Sequence, residues 1–94
     1  MPMKKHTHVV PWYSRDEWER IKAISTDPET MGKSYEDWLR AAEENAKQQK
    51  SPSVAVRKVL LEAERFVAYA RGAGLDINYD TRVRYAIDHF PNAI

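Results

Sequence analysis

The sequence predicts a small, mostly helical α+β domain in the order helix, helix, strand, helix, helix. Four segments show apolar residues at helical spacing, and a valine-rich segment at 54–61 lies between the second and the third of them. A chain of 94 residues has room for one hydrophobic core. We therefore interpret residues 1–94 as a single domain, with residues 1–7 as a flexible N-terminal tail. An all-α fold is the alternative.

Charge and composition exclude several classes of protein. The chain has 15 Lys and Arg residues against 14 Asp and Glu residues, and its net charge of +1 offers no broad field that would attract a polyanion. It contains no cysteine, which excludes disulfides, thiol catalysis and thiolate metal sites. No apolar run approaches the roughly 20 residues of a membrane span, and the first residues lack the apolar stretch of a signal peptide. We expect a cytoplasmic protein with no membrane contact.

The first predicted helix begins at a capping box. Ser14 and Glu17 have the spacing of that motif, and Tyr13 and Trp18 occupy the flanking positions of a hydrophobic staple. Apolar residues continue at helical spacing as Trp18, Ile21 and either Ile24 or Ser25. Pro28 ends this segment, because the residue before a proline is pushed out of the α region.

The second predicted helix has consistent signals at both ends. Ser34 is a good N-cap, and Glu36 and Asp37 follow in the first turn, where the helix dipole favours negative charge. Lys47 and Lys50 lie in the last turn, where positive charge is favoured. The apolar stripe consists of Tyr35, Trp38, Leu39, Ala42 and Ala46, and we place Trp38 in the core.

Residues 51–74 decide the fold class. As a single helix, this segment would begin with a serine cap and Pro52 at the first helical position. As two elements, it forms a strand over 54–61, which three valines favour, and a separate helix over 62–72. The start of that helix lacks a good cap. We favour the strand followed by the helix.

Glycines close the third predicted helix, and a proline closes the fourth. Gly72 and Gly74 supply the left-handed residue that ends the third helix. The fourth begins near Asp80 and ends at Pro91. Their inner faces are assigned to Ala63, Phe66, Val67 and Ala70 in the third helix and to Val83, Ala86, Ile87 and Phe90 in the fourth. Residues 8–10 are a short candidate for a second strand.

Several motifs carry a resemblance to one group of proteins. They are Tyr35-x-x-Trp38-Leu39 at a helix start, the basic and apolar strand, Phe66-x-x-Tyr69-x-Arg71-x-x-Gly74-Leu75 at a helix end, and Thr81-Arg82-x-x-Tyr85-Ala86 in the tail. Over about residues 34–86 the chain resembles short uncharacterised bacterial proteins of unknown function. The resemblance implies the strand-then-helix order, and it implies no activity.

No catalytic, cofactor-binding or metal-ligating residue is predicted. His6 and His8 would share one face of a strand, where two imidazoles can bind a transition metal, but a useful site needs at least a third ligand. We interpret both histidines as solvated. The acidic residues mostly lie in first turns of helices, and the three glycines match no nucleotide-binding motif. We expect no cofactor, and an enzyme acting alone is not expected.

Basic and aromatic side chains are the candidates for binding a partner. They are Arg57, Lys58, Tyr69, Tyr79, Arg82, Arg84 and Tyr85. The apolar stripe of the last helix turns three of them, Arg82, Arg84 and Tyr85, toward its other faces. Arginine and tyrosine are enriched in protein interfaces, and they also bind phosphates and stack on bases. The alternative is a solvated face, with Asp80 and Asp88 each four residues from Arg84.

The favoured function is a non-catalytic protein-interaction or adaptor module that self-associates. A lone strand leaves backbone groups unpaired, and if residues 8–10 do not pair with it, the same strand of a second copy would satisfy them in a two-fold homodimer. One alternative is a nucleic-acid-binding regulator that uses Arg57, Lys58, Arg82 and Arg84. A second alternative is an accessory subunit of an enzyme. The expected partner is the chain itself or another protein, and nucleic acid is less favoured.

Overall fold

The computed structural model describes residues 6–90 and shows one small domain with four helices and a two-stranded sheet. In chain order the elements are β1 (His6–Trp12), α1 (Arg15–Ile24), a short 3-10 turn (Pro28–Met31), α2 (Tyr35–Gln49), β2 (Val54–Leu60), α3 (Ala63–Ala73) and α4 (Tyr79–Asp88). The mostly helical α+β class and the strand-then-helix order are confirmed, so the all-α alternative is wrong. None of the helices in the described range is both long enough and apolar enough to cross a membrane.

The two strands run parallel. β1 pairs with β2 from His6 beside Val54 to Trp12 beside Leu60. The strand predicted around residues 54–61 therefore has its partner within the same chain. A second copy was expected to supply that partner only if residues 8–10 did not, and this condition is not met, because β1 already accepts and donates the backbone hydrogen bonds along one edge of β2.

β1 is longer than the candidate strand at residues 8–10. His6 and Thr7, which the sequence placed in a flexible tail, belong to β1, so that boundary was wrong. The rest of the predicted tail, residues 1–5, lies outside the described residues. Pairing with a distant strand gives this segment its regular structure, and a local pattern of seven residues does not reveal such pairing.

The core forms where α1, α3 and α4 meet the segments that follow the two strands. Its fully buried cluster consists of Tyr13, Trp18, Ile21, Met31, Leu61, Phe66 and Tyr85. Both positions of the predicted staple, Tyr13 and Trp18, are thus in the core. The indole nitrogen of Trp18 donates to the Met31 carbonyl at 3.0 Å, which fixes the 3-10 turn against α1.

The capping box at the start of α1 forms in part. The Ser14 hydroxyl accepts from the Glu17 amide at 3.4 Å, as predicted. The Glu17 carboxylate, however, accepts from the Ala63 amide at 2.6 Å, and Ala63 is the first residue of α3. Because Glu62 makes no side-chain cap bond, Glu17 supplies from α1 the cap that α3 lacks in its own sequence.

α2 packs with a half-buried stripe and has no fully buried residue. The Ser34 hydroxyl accepts from the Asp37 amide at 3.1 Å, which confirms the predicted cap. The ring of Trp38 lies 5.1 Å from that of Trp12 and 4.9 Å from that of Tyr13. The placement of Trp38 in the core is therefore corrected: it lies at the edge of the core, in edge-to-face contact with two buried rings.

Candidate functional site

The structure divides the seven predicted partner-binding residues among three places. These are β2 (Arg57 and Lys58), the contact of α3 with α4 (Tyr69 and Tyr85), and the remainder of α4 (Tyr79, Arg82 and Arg84). They do not form one site. Arg82 and Tyr85 are buried, with 1% and 5% of their surface exposed, so they are not available to a partner.

Arg82 belongs to the interior. Its guanidinium donates to Ser25 Oγ at 3.2 Å, to Asp27 Oδ1 at 3.2 Å and to Thr30 Oγ1 at 2.6 Å. The prediction that Arg82 faces outward is wrong, because three oxygens from the segment after α1 satisfy the buried charge. The nucleic-acid alternative therefore loses one of its four residues.

Asp27 is the counterion of Arg82 and also fixes the start of α4. Its second carboxylate oxygen accepts from the Tyr79 amide at 2.9 Å. Burial acts to raise the pKa of Asp27, but the Tyr79 amide and the Arg82 guanidinium outweigh it and hold the pKa below its ordinary value of 3.8. Burial raises the pKa of Tyr13 to about 12, although Arg82 acts in the opposite direction. Both pKa shifts are caused by burial and by contacts within the protein, so they indicate a structural role for this group of residues.

Tyr85 lies in an aromatic cluster between α3 and α4. Its ring lies 5.6 Å from Phe66 and 5.2 Å from Tyr69, and it stacks on His89 at 3.9 Å. The Tyr69 hydroxyl donates to Asp88 Oδ2 at 2.6 Å. Burial raises the pKa of Tyr85, and burial together with the bond to Asp88 raises the pKa of Tyr69. These contacts join α3 to α4, and the prediction that Tyr85 faces outward is wrong.

The inner face of α4 differs from the predicted stripe. Its buried residues are Thr81, Arg82, Tyr85 and Ala86. Ile87 and Phe90, assigned to the inner face, are 56% and 38% exposed. Asn78 rather than Asp80 caps this helix, since Asn78 Oδ1 accepts from the Thr81 amide at 3.0 Å. The predicted stripe differs because a pattern of apolar residues alone puts Arg82 on the surface, whereas the helix is rotated so that Arg82 is buried. The predicted end at Pro91 lies outside the described residues.

Tyr79 and Arg84 are the predicted residues of α4 that lie on the surface. Tyr79 is 52% exposed. Arg84 lines a hollow of about 350 Å³ at the start of α4, together with the carboxylates of Asp76 and Asp80. Neighbouring acidic residues lower the local positive potential, so the surroundings of Arg84 match the solvated-face interpretation.

A groove between α1 and α3, which we call the α1–α3 groove, was not predicted. Its volume is about 550 Å³, and its lining consists of Arg20, Ala23, Ile24, Ala63, Glu64, Val67, Ala68 and Arg71. The sequence placed Ala63 and Val67 on the inner face of α3, but they are only half-buried and reach the groove. In the sequence, the signal for the α1–α3 groove is that small and apolar residues of α3 extend beyond its buried face.

A second depression, which we call the basic cleft, lies between the end of α2 and β2. Its volume is about 480 Å³, and its charged residues are Glu43, Lys47, Lys50, Arg57 and Lys58. The Lys58 ammonium lies 4.1 Å from the centre of the Trp12 ring, a cation–π contact that holds its position. Folding thus adds Lys47 of α2 and the C-cap residue Lys50 to the predicted pair in β2.

The two histidines of β1 are exposed. Within residues 6–90, no three His, Cys, Asp or Glu side chains come together in a way that would hold a metal ion.

Comparison with protein-family models, with curated proteins and with solved structures finds no match for this chain. The resemblance to short bacterial proteins stays a prediction, and the α1–α3 groove and the basic cleft are the surfaces from which a function is proposed.

Proposed function

We propose that this protein is a non-catalytic interaction module that binds a helix of another protein molecule in the α1–α3 groove. The observation that supports this most is the apolar lining of the groove, where Ile24 remains 44% exposed. Five of the eight lining residues are apolar, and the three charged ones are Arg20, Glu64 and Arg71. An apolar centre with a polar rim is the usual composition of a protein interface.

Both walls of the groove are fixed in place. Trp18 and Ile21 anchor α1 in the core, and Phe66 anchors α3. The bond from the Ala63 amide to the Glu17 carboxylate joins the two helices directly. A groove that exists before binding loses little conformational entropy when it is occupied, which favours affinity. The cleft between two packed helices suits a third helix, which presents apolar side chains at spacings of three and four.

Photocrosslinking in living cells that express the protein tests this proposal. A diazirine amino acid at Arg20, on the rim, is expected to form a covalent adduct with a protein, whereas the same amino acid at the exposed Glu44 of α2 is not. Ile24→Glu should reduce the yield of adduct by about tenfold or more, because a carboxylate replaces apolar surface that the partner covers.

Three results would count against the groove. They are no adduct from position 20, equal adducts from positions 20 and 44, and an unchanged yield in a folded Ile24→Glu variant. Circular dichroism of Ile24→Glu checks that the helices persist.

The basic cleft favours a second candidate function, the binding of a single-stranded nucleic acid. Four cations face one carboxylate there, and none of the four takes part in an ion pair among residues 6–90. The cations also have structural roles, because Lys47 and Lys50 oppose the negative end of the α2 dipole. Arg57 and Lys58 protect the outer edge of β2, where no further described strand pairs. We therefore place this candidate second.

Fluorescence anisotropy with a labelled single strand tests the basic cleft. If four phosphates are contacted, the logarithm of the binding constant should fall with the logarithm of the salt concentration at a slope of about −3. Arg57→Glu should weaken binding strongly, and Arg40→Glu, an equal change of charge on the exposed side of α2, should not. Absence of binding at low salt, or equal losses in both variants, would exclude this function.

A further inference from the structure

We infer that the occupant of the α1–α3 groove is a second copy of this chain, docked so that α3 runs antiparallel to α3 and Glu64 of each copy meets Arg71 of the other. The inference rests on the proposed function, since it names the partner of the same groove. It differs from the dimer expected from the sequence, which used β2 and is not required once β1 pairs with β2.

The sequence of α3 is self-complementary about its own midpoint. Glu64 and Arg71 stand seven residues apart, so they lie on one face, two turns and about 10 Å from each other. A two-fold axis that passes between Val67 and Ala68 places Glu64 opposite Arg71 and Val67 opposite Ala68. The axis therefore creates two contacts between an acid and a base, one on each side of an apolar centre. A surface that is complementary to itself in this way is what an isologous dimer requires.

Both charges are available for this contact. Glu64 and Arg71 are exposed, and neither takes part in an ion pair among residues 6–90. The neighbouring Arg65, which lies on a different face of α3, is instead within 3.6 Å of Glu62. The pairing pattern therefore leaves one acid and one base of α3 unused, and these two line the groove.

The centre of the proposed contact allows two helices to approach closely. Ala68 is exposed and Val67 is half-buried. A small side chain such as that of Ala68 at the centre lets two helix axes approach closely. Ile24 of α1 flanks the same face and would be covered.

The proposed interface is small. α3 has 11 residues and is about 16 Å long. Such a contact, even with Ile24, is smaller than the standard protein interface, so we expect a dissociation constant on the order of 100 μM. Two exposed ion pairs are screened by salt, and the dimer should therefore weaken as ionic strength rises.

Charge reversal combined with mixing tests the inference. Sedimentation equilibrium of the full chain at low salt, from about 20 to about 500 μM, should show a monomer–dimer equilibrium. Glu64→Arg brings two guanidinium groups together at each contact, and Arg71→Glu brings two carboxylates together, so each variant alone should dimerise more than about tenfold less tightly. An equimolar mixture of the two variants should form a heterodimer, because each acid again meets a base.

The matched controls are Glu44→Arg and Arg40→Glu, which make the same changes of charge on the exposed side of α2 and should leave the dimer intact. A strictly monomeric wild-type chain, single variants that dimerise like the wild type, or a mixture that stays monomeric would each overturn the inference. If the crosslink from position 20 to another protein persists in that case, the groove still functions and only its occupant is wrong. If the crosslink is also absent, the proposed function falls as well.

Discussion

Arg82→Ala is expected to lower the free energy of unfolding by about 3 kcal/mol, because it removes a fully buried side chain together with its hydrogen bonds to three oxygens, one of them of the partly exposed Asp27 carboxylate. Arg82 is 1% exposed, and its guanidinium satisfies Ser25, Asp27 and Thr30 at once. Without it, the Asp27 carboxylate keeps only its bond to the Tyr79 amide. Urea unfolding monitored by tryptophan fluorescence measures the change.

Arg84→Ala is the matched control, because Arg84 lies on the same helix but is exposed. It should change the free energy of unfolding by no more than about 0.5 kcal/mol. Equal losses in the two variants would show that the arginine network does not stabilise the fold. If Arg82→Ala does not fold, Arg82→Lys keeps the charge without the planar fork and should give an intermediate, measurable loss.

The contacts of Asp27 also predict that the free energy of unfolding decreases at low pH. The pKa of Asp27 is lower in the folded protein than its ordinary value of 3.8. The stabilisation that accompanies this shift is therefore complete above that value and is lost as the pH falls through the folded pKa. Asp27→Asn removes this part of the acid transition, whereas a transition with an unchanged shape would contradict the assignment.

Trp18→Ala is expected to cost about 3–5 kcal/mol, as for other large core side chains. Trp18 is 5% exposed, and its indole nitrogen donates to the Met31 carbonyl at 3.0 Å. The substitution opens a cavity and leaves that buried carbonyl without its donor. Thermal and urea unfolding give the measurement.

Two further variants separate the contributions. Trp18→Phe keeps most of the apolar volume but loses the donor, so it should cost about 1–3 kcal/mol. Trp38→Ala should cost less than Trp18→Ala, because Trp38 is only half-buried. If Trp38→Ala were the more damaging change, the boundary of the core would lie closer to α2 than the structure shows.

Elements with local signals were predictable from the sequence. Ser34 caps α2 through a bond that spans three residues, and the valines of β2 favour an extended backbone wherever the strand lies. The capping bond of Ser14 is local in the same way. Each of these signals is complete within one turn or one strand.

Features that depend on distant segments were not predictable. β1 is regular because it pairs with β2, and Arg82 is buried because Asp27 and two hydroxyls reach it from a segment more than fifty residues away. The start of α3 is capped by Glu17 of another helix. Local periodicity treats Arg82 and Glu17 as polar and exposed, and only tertiary contacts reverse that assignment.

The two surface depressions were missed for the same reason. The α1–α3 groove needs both helices to be placed, and the basic cleft needs α2 beside β2. The sequence singled out Arg57 and Lys58 as a pair of cations in β2, but it offered no way to associate them with Lys47 and Lys50. Arg71 was not among the predicted residues, although its seven-residue spacing from Glu64 is visible in the sequence of α3.

Isotope-filtered NMR on a mixture of labelled and unlabelled chains, at a concentration where the dimer forms, tests the α3 pairing most directly. We predict intermolecular nuclear Overhauser effects between the methyl groups of Val67 in one copy and Ala68 in the other. Intermolecular effects confined to other elements, or none at all in a sample that sediments as a dimer, would contradict the pairing.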